Sequence, residues 1–250
     1  MRRVSVRLAL TAALLCLHPG WSATTVATVG DSFADSVYLG MRSRPDLLKK
    51  NDIKLIRWSR PIIGLTRTDY FDYPGWLRDT DNLGTVDVCV AQVGANDLQS
   101  IRIAKGKWAM FASEQWAILY AERVKSVEET LRERRCRLTI WILQPGYEKN
   151  SLLNRYHAMV SDLQRSALDP EHTLVFEIST EAADYGSDGT HFSGPFCLRL
   201  GQAMFRLLAA FRQSVPDSCY SCHTRPDLNA RLVPRDLAPL RLAARPPHPR

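Results

Sequence analysis

The chain has 250 residues, a formal net charge of +7, 45% hydrophobic and 24% charged residues. The positive charge sits at the two ends. Residues 1–22 carry three arginines and no acid, residues 224–250 carry six arginines and two aspartates, and the chain between them is neutral. The basic balance therefore gives no support to an anionic substrate or a nucleic-acid partner.

The chain opens with Arg2, Arg3 and Arg7, an apolar run from Leu8 to Leu17, and small residues from Gly20 to Ala23. This is the layout of a secretory signal peptide, with cleavage expected after Ser22 or Ala23. Its apolar part is too short for a stable bilayer span, and no other stretch is long enough for one. A retained anchor, or a lipid anchor through Cys16, are the weaker readings of the same segment. Expected boundaries are a signal peptide over 1–22, one domain over 23–213 and a tail over 214–250. Periplasmic or secreted localisation follows.

Strand and helix patterns then alternate. Thr24–Val29 reads as a strand that ends in Gly30. Phe33–Met41 and Pro45–Lys50 read as helical, the second with proline in its first turn. Ile53–Trp58 is a second strand and Val86–Val93 a third, apolar enough to be buried on both faces. Trp116, Leu119, Tyr120, Val124, Val127 and Leu131 recur at three- and four-residue spacing, which predicts a helix over Ser113–Arg135. A fourth strand over Arg137–Leu143 stops at Pro145. Helix is expected over Ser151–Leu168, a fifth strand over Thr173–Ile178 and a closing helix over Pro195–Arg212. Five such alternations predict a parallel sheet covered by helices on both faces, with the site beyond the carboxyl ends of the strands. The proline- and arginine-rich tail from Thr224 is expected to be largely disordered.

Three short motifs fall where that rule puts them. Gly30-Asp31-Ser32 follows the first strand, and a serine at a helix start has its hydroxyl and its own N–H facing the cleft. Gly94-Ala95-Asn96-Asp97 follows the third strand and offers a neutral amide donor. Asp188-Gly189-Thr190-His191 follows the fifth and spaces an acid to orient an imidazole. Each alone is a common turn sequence, and together they point to serine-nucleophile chemistry. Asp31 and Asp97 are read as helix caps or loop pins.

The order Ser…Asn…Asp-x-x-His resembles the SGNH, or GDSL-type, hydrolases across about Thr24–Arg212. The stretch Gly64–Pro74 is similar to an exported bacterial branch of that family. The resemblance implies an α/β, three-layer flavodoxin-like fold with a five-stranded parallel sheet. It implies Ser32 as nucleophile, His191 as base, Asp188 as orienting acid, and an oxyanion hole from Ser32, Gly64 and Asn96, with no metal or other cofactor. Expected substrates are esters or acylated glycans, with hydrolysis and acyl transfer both open. Export and kin direct the expectation to an envelope or secreted polysaccharide, cellulose-like or other, and to its biosynthesis machinery as a partner.

Cys219-Tyr220-Ser221-Cys222-His223 competes with this reading. It has the form of a c-type haem attachment site, although few residues follow it and none is Met. A Cys219–Cys222 disulfide or free thiols is the alternative. A haem protein, a non-catalytic accessory of polysaccharide biosynthesis and a glycan-binding module without activity are the competing functions. Beyond the signal region the cysteines number five: Cys89, Cys136, Cys197, Cys219 and Cys222. Cys89 is expected to pack as a small hydrophobe. Trp58, Trp76 and Trp108 are candidates to stack on sugars, while Trp116 and Trp141 read as core. Tyr70, Phe71, Tyr73 and Trp76 are candidates for a cleft wall.

Overall fold

The computed structural model describes residues 23–79, 86–134, 136–146, 151–214 and 240–242. The signal region, most of the tail and the Cys219–His223 motif lie outside them. In chain order come β1 (Thr24–Gly30), α1 (Ser32–Arg42), α2 (Pro45–Lys50), β2 (Ile53–Ser59), α3 (Tyr73–Asp79) and β3 (Val88–Gln92). A hairpin of β4 (Ile101–Ala104) and β5 (Lys107–Ala109) precedes α4 (Glu114–Glu133) and β6 (Leu138–Ile142). Then follow α5 (Ser151–Ala167), β7 (Thr173–Ile178), α6 (Gly194–Ser214) and β8 (Leu240–Leu242).

The main sheet has the order β2-β1-β3-β6-β7-β8. Its first five strands are parallel, as the alternating pattern predicts. The sixth is not in that pattern: Leu240 and Leu242 pair antiparallel with Ile178 and Phe176. These three tail residues, expected to lack regular structure, thus form an edge strand. Isolated between prolines and arginines they carry too short an apolar pattern to be read as one.

Alternate strand residues supply two cores. Val26, Val88, Val90, Leu138 and Ile140 face α1 and α6, where Phe33, Val37, Phe196, Leu200 and Met204 meet them. Ala27, Val29, Cys89, Ala91 and Trp141 face α3, α4 and α5. The predicted α4 stripe is all within that second core, with Trp116, Tyr120, Val124 and Leu131 fully buried. Burying each such side chain stabilises the fold by about 1.5–3 kcal/mol. Ser113 begins the helix, its hydroxyl accepting from the Trp116 N–H at 3.2 Å.

Cys89 is buried in β3, but it is not only a small hydrophobe: it forms a disulfide with Cys136, Cα to Cα 5.9 Å. β3 and β6 are neighbours, so residues 47 apart in the chain are brought side by side. Among the described residues Cys197 is the free cysteine. No described helix is long and apolar enough to cross a membrane.

The α1–α6 contact sets the distance between the two chain segments of greatest interest, because α1 begins at Ser32 and α6 begins three residues after His191. The helices touch backbone to backbone. A Cβ added to Gly40 would lie 1.9 Å from the Cys197 carbonyl oxygen, and one on Gly201 would lie 2.3 Å from the Gly40 carbonyl carbon. Neither contact can be relieved by turning a side chain. Gly40→Ala is therefore expected to lower stability by about 1–3 kcal/mol, the usual cost of overpacking. Urea unfolding measures it; a variant within error of the parent would show that the two helices separate freely.

Candidate active site

The site is assembled at the carboxyl ends of β1, β3 and β7. At the end of β1, Gly30 has φ +128°, and a Cβ there would lie 1.8 Å from the Gln92 carbonyl oxygen, so only glycine fits the turn. Asp31 follows as the N-cap of α1. Its Oδ1 accepts from the Phe33 N–H at 3.0 Å, and its Oδ2 from the Gly94 and Ala95 N–H groups, each at 3.0 Å. The Asp31 N–H donates to Gln92 O at 3.1 Å. One carboxylate thus ties the serine turn to the Gly94-Ala95-Asn96-Asp97 loop.

Ser32 is half-buried at the first position of α1. Its N–H has no acceptor among the described residues, as expected of a donor in a first helical turn. The Gly64 N–H has none either. Gly64 sits against the Asn96–Asp97 segment so tightly that a Cβ would lie 2.4 Å from Asp97 Oδ1 and 3.3 Å from Asn96 Cβ. The Gly64 segment therefore does fold onto the Gly94–Asp97 loop.

Asn96 is brought to this loop, but its amide is not turned to open cleft. Nδ2 donates to Ile63 O at 2.8 Å and, at the long end of the range, to Pro61 O at 3.3 Å. It clamps the segment that carries Gly64. Spacing alone predicts the amide's neighbourhood; the carbonyls that capture it belong to a loop some thirty residues earlier.

His191 and Asp188 pair as the three-residue spacing predicts, His191 Nδ1 lying 2.7 Å from Asp188 Oδ2. The other carboxylate oxygen accepts from the Thr190 and His191 N–H groups at 2.9 and 3.0 Å. The hydrogen bond from His191, then these two backbone donors, hold Asp188 down at about 2. The His191 ring stacks at 6.1 Å from Phe33, the residue after Ser32, while Phe192 meets Phe33 edge-on at 4.7 Å. A Ser32–His191 hydrogen bond is not formed among the described contacts; such bonds often tighten only with substrate bound.

The aromatic candidates divide. Trp58, Trp116 and Trp141 are core, and so is Tyr73, which is not a cleft wall. Its hydroxyl accepts from the Gly30 N–H at 2.7 Å and donates to Trp58 O at 2.9 Å, bracing the serine turn from below. Trp76 stacks on Tyr73 at 5.7 Å and is covered in turn by the Arg60 guanidinium at 4.4 Å. Tyr70 and Trp108 remain exposed.

Asp97 is the second buried acid. It accepts from the Thr66 N–H at 3.0 Å and from Tyr120 Oη at 3.0 Å. Tyr120 Oη accepts from Gln164 Nε2 at 2.9 Å, which also donates to Val93 O at 2.7 Å. Burial pushes Asp97 up, and it pushes Asp31 up to about 7 against the three N–H donors that favour the anion. Sequence reading places both acids as pins but misses Tyr73, Tyr120 and Gln164. Their helix or turn positions carry no sign that their polar ends point inward. Among the described residues no group of His, Cys, Asp or Glu is placed to hold a metal ion.

The model of the family described as protein of unknown function (DUF459) matches residues 25–193. No curated protein sequence matches the chain. Among solved structures, a variant of an acetyl xylan esterase from Geobacillus stearothermophilus is similar at TM-score 0.54 and 12% identity, covering 74% of this chain and 94% of its own. A protein assigned to the G-D-S-L lipolytic family from Desulfitobacterium hafniense DCB-2 is similar at TM-score 0.52 and 12% identity, covering 73% and 98%.

Asp31 makes the fold sensitive to pH. Its folded value of about 7 lies above the ordinary 3.8, so between these values the folded chain holds more proton than the unfolded one. Stability then declines as pH rises from about 4 to about 7 and levels off above. Asp31→Asn is expected to lose this part of the decline, and to be less stable overall by about 1–3 kcal/mol for the mismatched N–H donors. Urea unfolding of both proteins across that range tests it; parallel curves would refute it.

Proposed function

Because the chain belongs to the family described as protein of unknown function (DUF459) and has the SGNH-hydrolase fold, we propose that it is a serine esterase or O-acyl hydrolase with Ser32 as nucleophile. What supports this reading is a Ser32 with an unpaired N–H among the described residues, on a helix turn whose next residue, Phe33, packs against the ring of the Asp188-oriented His191. Ser32 Oγ attacks the acyl carbonyl carbon and its proton passes to His191 Nε2. The imidazolium is stabilised through Nδ1–H by Asp188, which stays ionised. The developing oxyanion is held by the Ser32 and Gly64 N–H groups. Asn96 holds the Gly64 loop and, by releasing its long bond to Pro61, supplies the third donor. His191 then returns the proton to the leaving alkoxide. Water, or a second hydroxyl in the transfer version, discharges the acyl-enzyme by the same route.

Export is part of the proposal. The signal-like first residues and the Cys89–Cys136 disulfide both support an oxidising compartment, periplasmic or extracellular. An acylated envelope or secreted polysaccharide is the substrate class we favour, supported by that compartment. The acetyl xylan esterase named in the structural comparison acts on a related kind of ester. The exposed site, with more than half of the His191 side chain open to solvent, suits a polymer chain laid across it better than a small enclosed ligand. The haem reading rests on residues outside those described, and nothing in the site depends on it.

Two outcomes are expected. Ser32→Ala loses hydrolysis of p-nitrophenyl acetate by about a thousandfold or more, and loses fluorophosphonate labelling, while its melting temperature is kept. An unchanged rate or unchanged labelling would end the assignment. Because Asp188 stays charged down to about 2, its own protonation adds nothing to the acid limb of kcat/KM above that value. The logarithm of the rate should fall with a slope of one on acidification; a slope of two would bring a second group, with Asp31 the candidate, into the reaction.

A further inference from the structure

The hairpin of β4 and β5 leaves the body of the protein beside the site, and nothing in the proposed reaction uses it. Its root is fixed. Ile101 and Ala109, paired across the hairpin, are both buried in the core that holds Trp116 and Tyr120 of α4. Just before it, Gln99 Nε2 donates to Asn96 O at 2.7 Å, and the Trp116 indole N–H donates to Gln99 O at 2.7 Å. The hairpin therefore starts from the same end of the sheet as Ser32. Beyond the root, every residue from Arg102 to Trp108 is exposed. At the tip Gly106 has φ +73°, and a Cβ there would meet nothing within 4 Å.

Exposure is ordinary for a turn; the side chains held out here are not ordinary turn residues. Ile103 is 46% exposed, Trp108 43% and Met110 64%. Ile103 is placed outward by a slip in register. Arg102 faces Trp108 and Ala104 faces Lys107, which leaves Ile103 as an extra residue opposed by none on β5. Trp108 lies against no other aromatic ring among the described residues.

Charge accompanies these apolar groups. From Leu98 to Ser113 the chain has three cations, Arg102, Lys105 and Lys107, and no acid. Neither lysine is in an ion pair among the described residues. Asp69 approaches the hairpin, but it is shared by two cations, Arg67 at 2.9 Å and Arg102 at 3.8 Å. The next acid in the chain, Glu114, opens α4, where a helix start favours it.

This combination fits one kind of surface. At a bilayer, tryptophan sits at headgroup level, aliphatic side chains reach the acyl boundary, and lysines meet anionic headgroups. A neutral glycan would use Trp108 but leave Ile103 and Met110 in water, and the hairpin has no carboxylate or amide to read sugar hydroxyls. A soluble polyanion would use the lysines and leave all three apolar side chains in water. We propose that the β4–β5 hairpin docks the protein on an anionic phospholipid bilayer, with Ile103, Trp108 and Met110 entering the headgroup region and Lys105 and Lys107 meeting lipid phosphates. Docking in this way brings the end of the sheet that bears Ser32 to the bilayer. The proposal does not rest on the acyl-hydrolase reading.

The test is quenching of tryptophan fluorescence by brominated lipids. It uses the full chain with vesicles of phosphatidylglycerol and phosphatidylcholine in equal parts, or of phosphatidylcholine alone. The two basic ends are common to every variant, so the quenching that Trp108→Phe removes reports residue 108 by itself. That part is expected with the anionic vesicles and is weaker by about tenfold or more with the neutral ones. Lys105→Gln combined with Lys107→Gln should raise the lipid concentration for its half-maximum about twentyfold, at about fivefold per lysine, measured against Trp108→Phe in the same background. Ile103→Ser, which keeps every charge, should raise it as well. All these positions are exposed, so melting temperatures should be kept. A residue-108 part that is absent, equal in the two kinds of vesicle, or unmoved by the lysine changes overturns the proposal. So does a Trp108 emission that responds to cellotetraose and not to vesicles, which would make the hairpin a glycan platform.

Discussion

The Asp31 carboxylate is the contact on which the site depends. It joins three backbone N–H groups from two segments, the start of α1 and the turn after β3, which lie more than sixty residues apart in the chain. Hydrogen bonds to a charged acceptor contribute about 1.5–3 kcal/mol each. What matters more is direction. With Asp31 in place, Ser32 must begin a helix with its N–H free, and the Gly94 turn must deliver Asn96 towards the segment preceding Gly64. One acid thus leaves the two loops no independent freedom.

A second layer of buried polar groups repeats this device further from solvent. Asp97 fixes Thr66, Tyr120 meets Asp97, and Gln164 joins Tyr120 to the end of β3. Fully satisfied networks of this kind rigidify a core, whereas one missing partner makes them costly. The Gly64 loop is held by Asn96 on one side and by Asp97 through Thr66 on the other. Tyr73, in the same core as Tyr120, braces the serine turn in the same way. The acids that carry these contacts are raised by burial, so the architecture that orders the site also ties stability to pH.

Much of the architecture was legible in the residues. The two-faced apolar runs of Thr24–Val29, Val86–Val93 and Arg137–Leu143 could only be central strands, and the Trp116–Leu131 stripe could only be an amphipathic helix. Local spacing also determined the His191–Asp188 pair, because three residues of loop suffice to bring them together. The sequence was silent wherever a contact depends on elements distant in the chain. The Cys89–Cys136 bond needed the adjacency of β3 and β6; β8 needed the free edge of β7; and the inward turn of Tyr73 needed Gly30 and Trp58 as partners. The Asn96 amide shows the division most clearly. Residue type and position identified it as a donor, but which carbonyl or oxyanion it serves is decided by how closely the Pro61–Gly64 loop is packed against it, and that distance exists only in the folded chain.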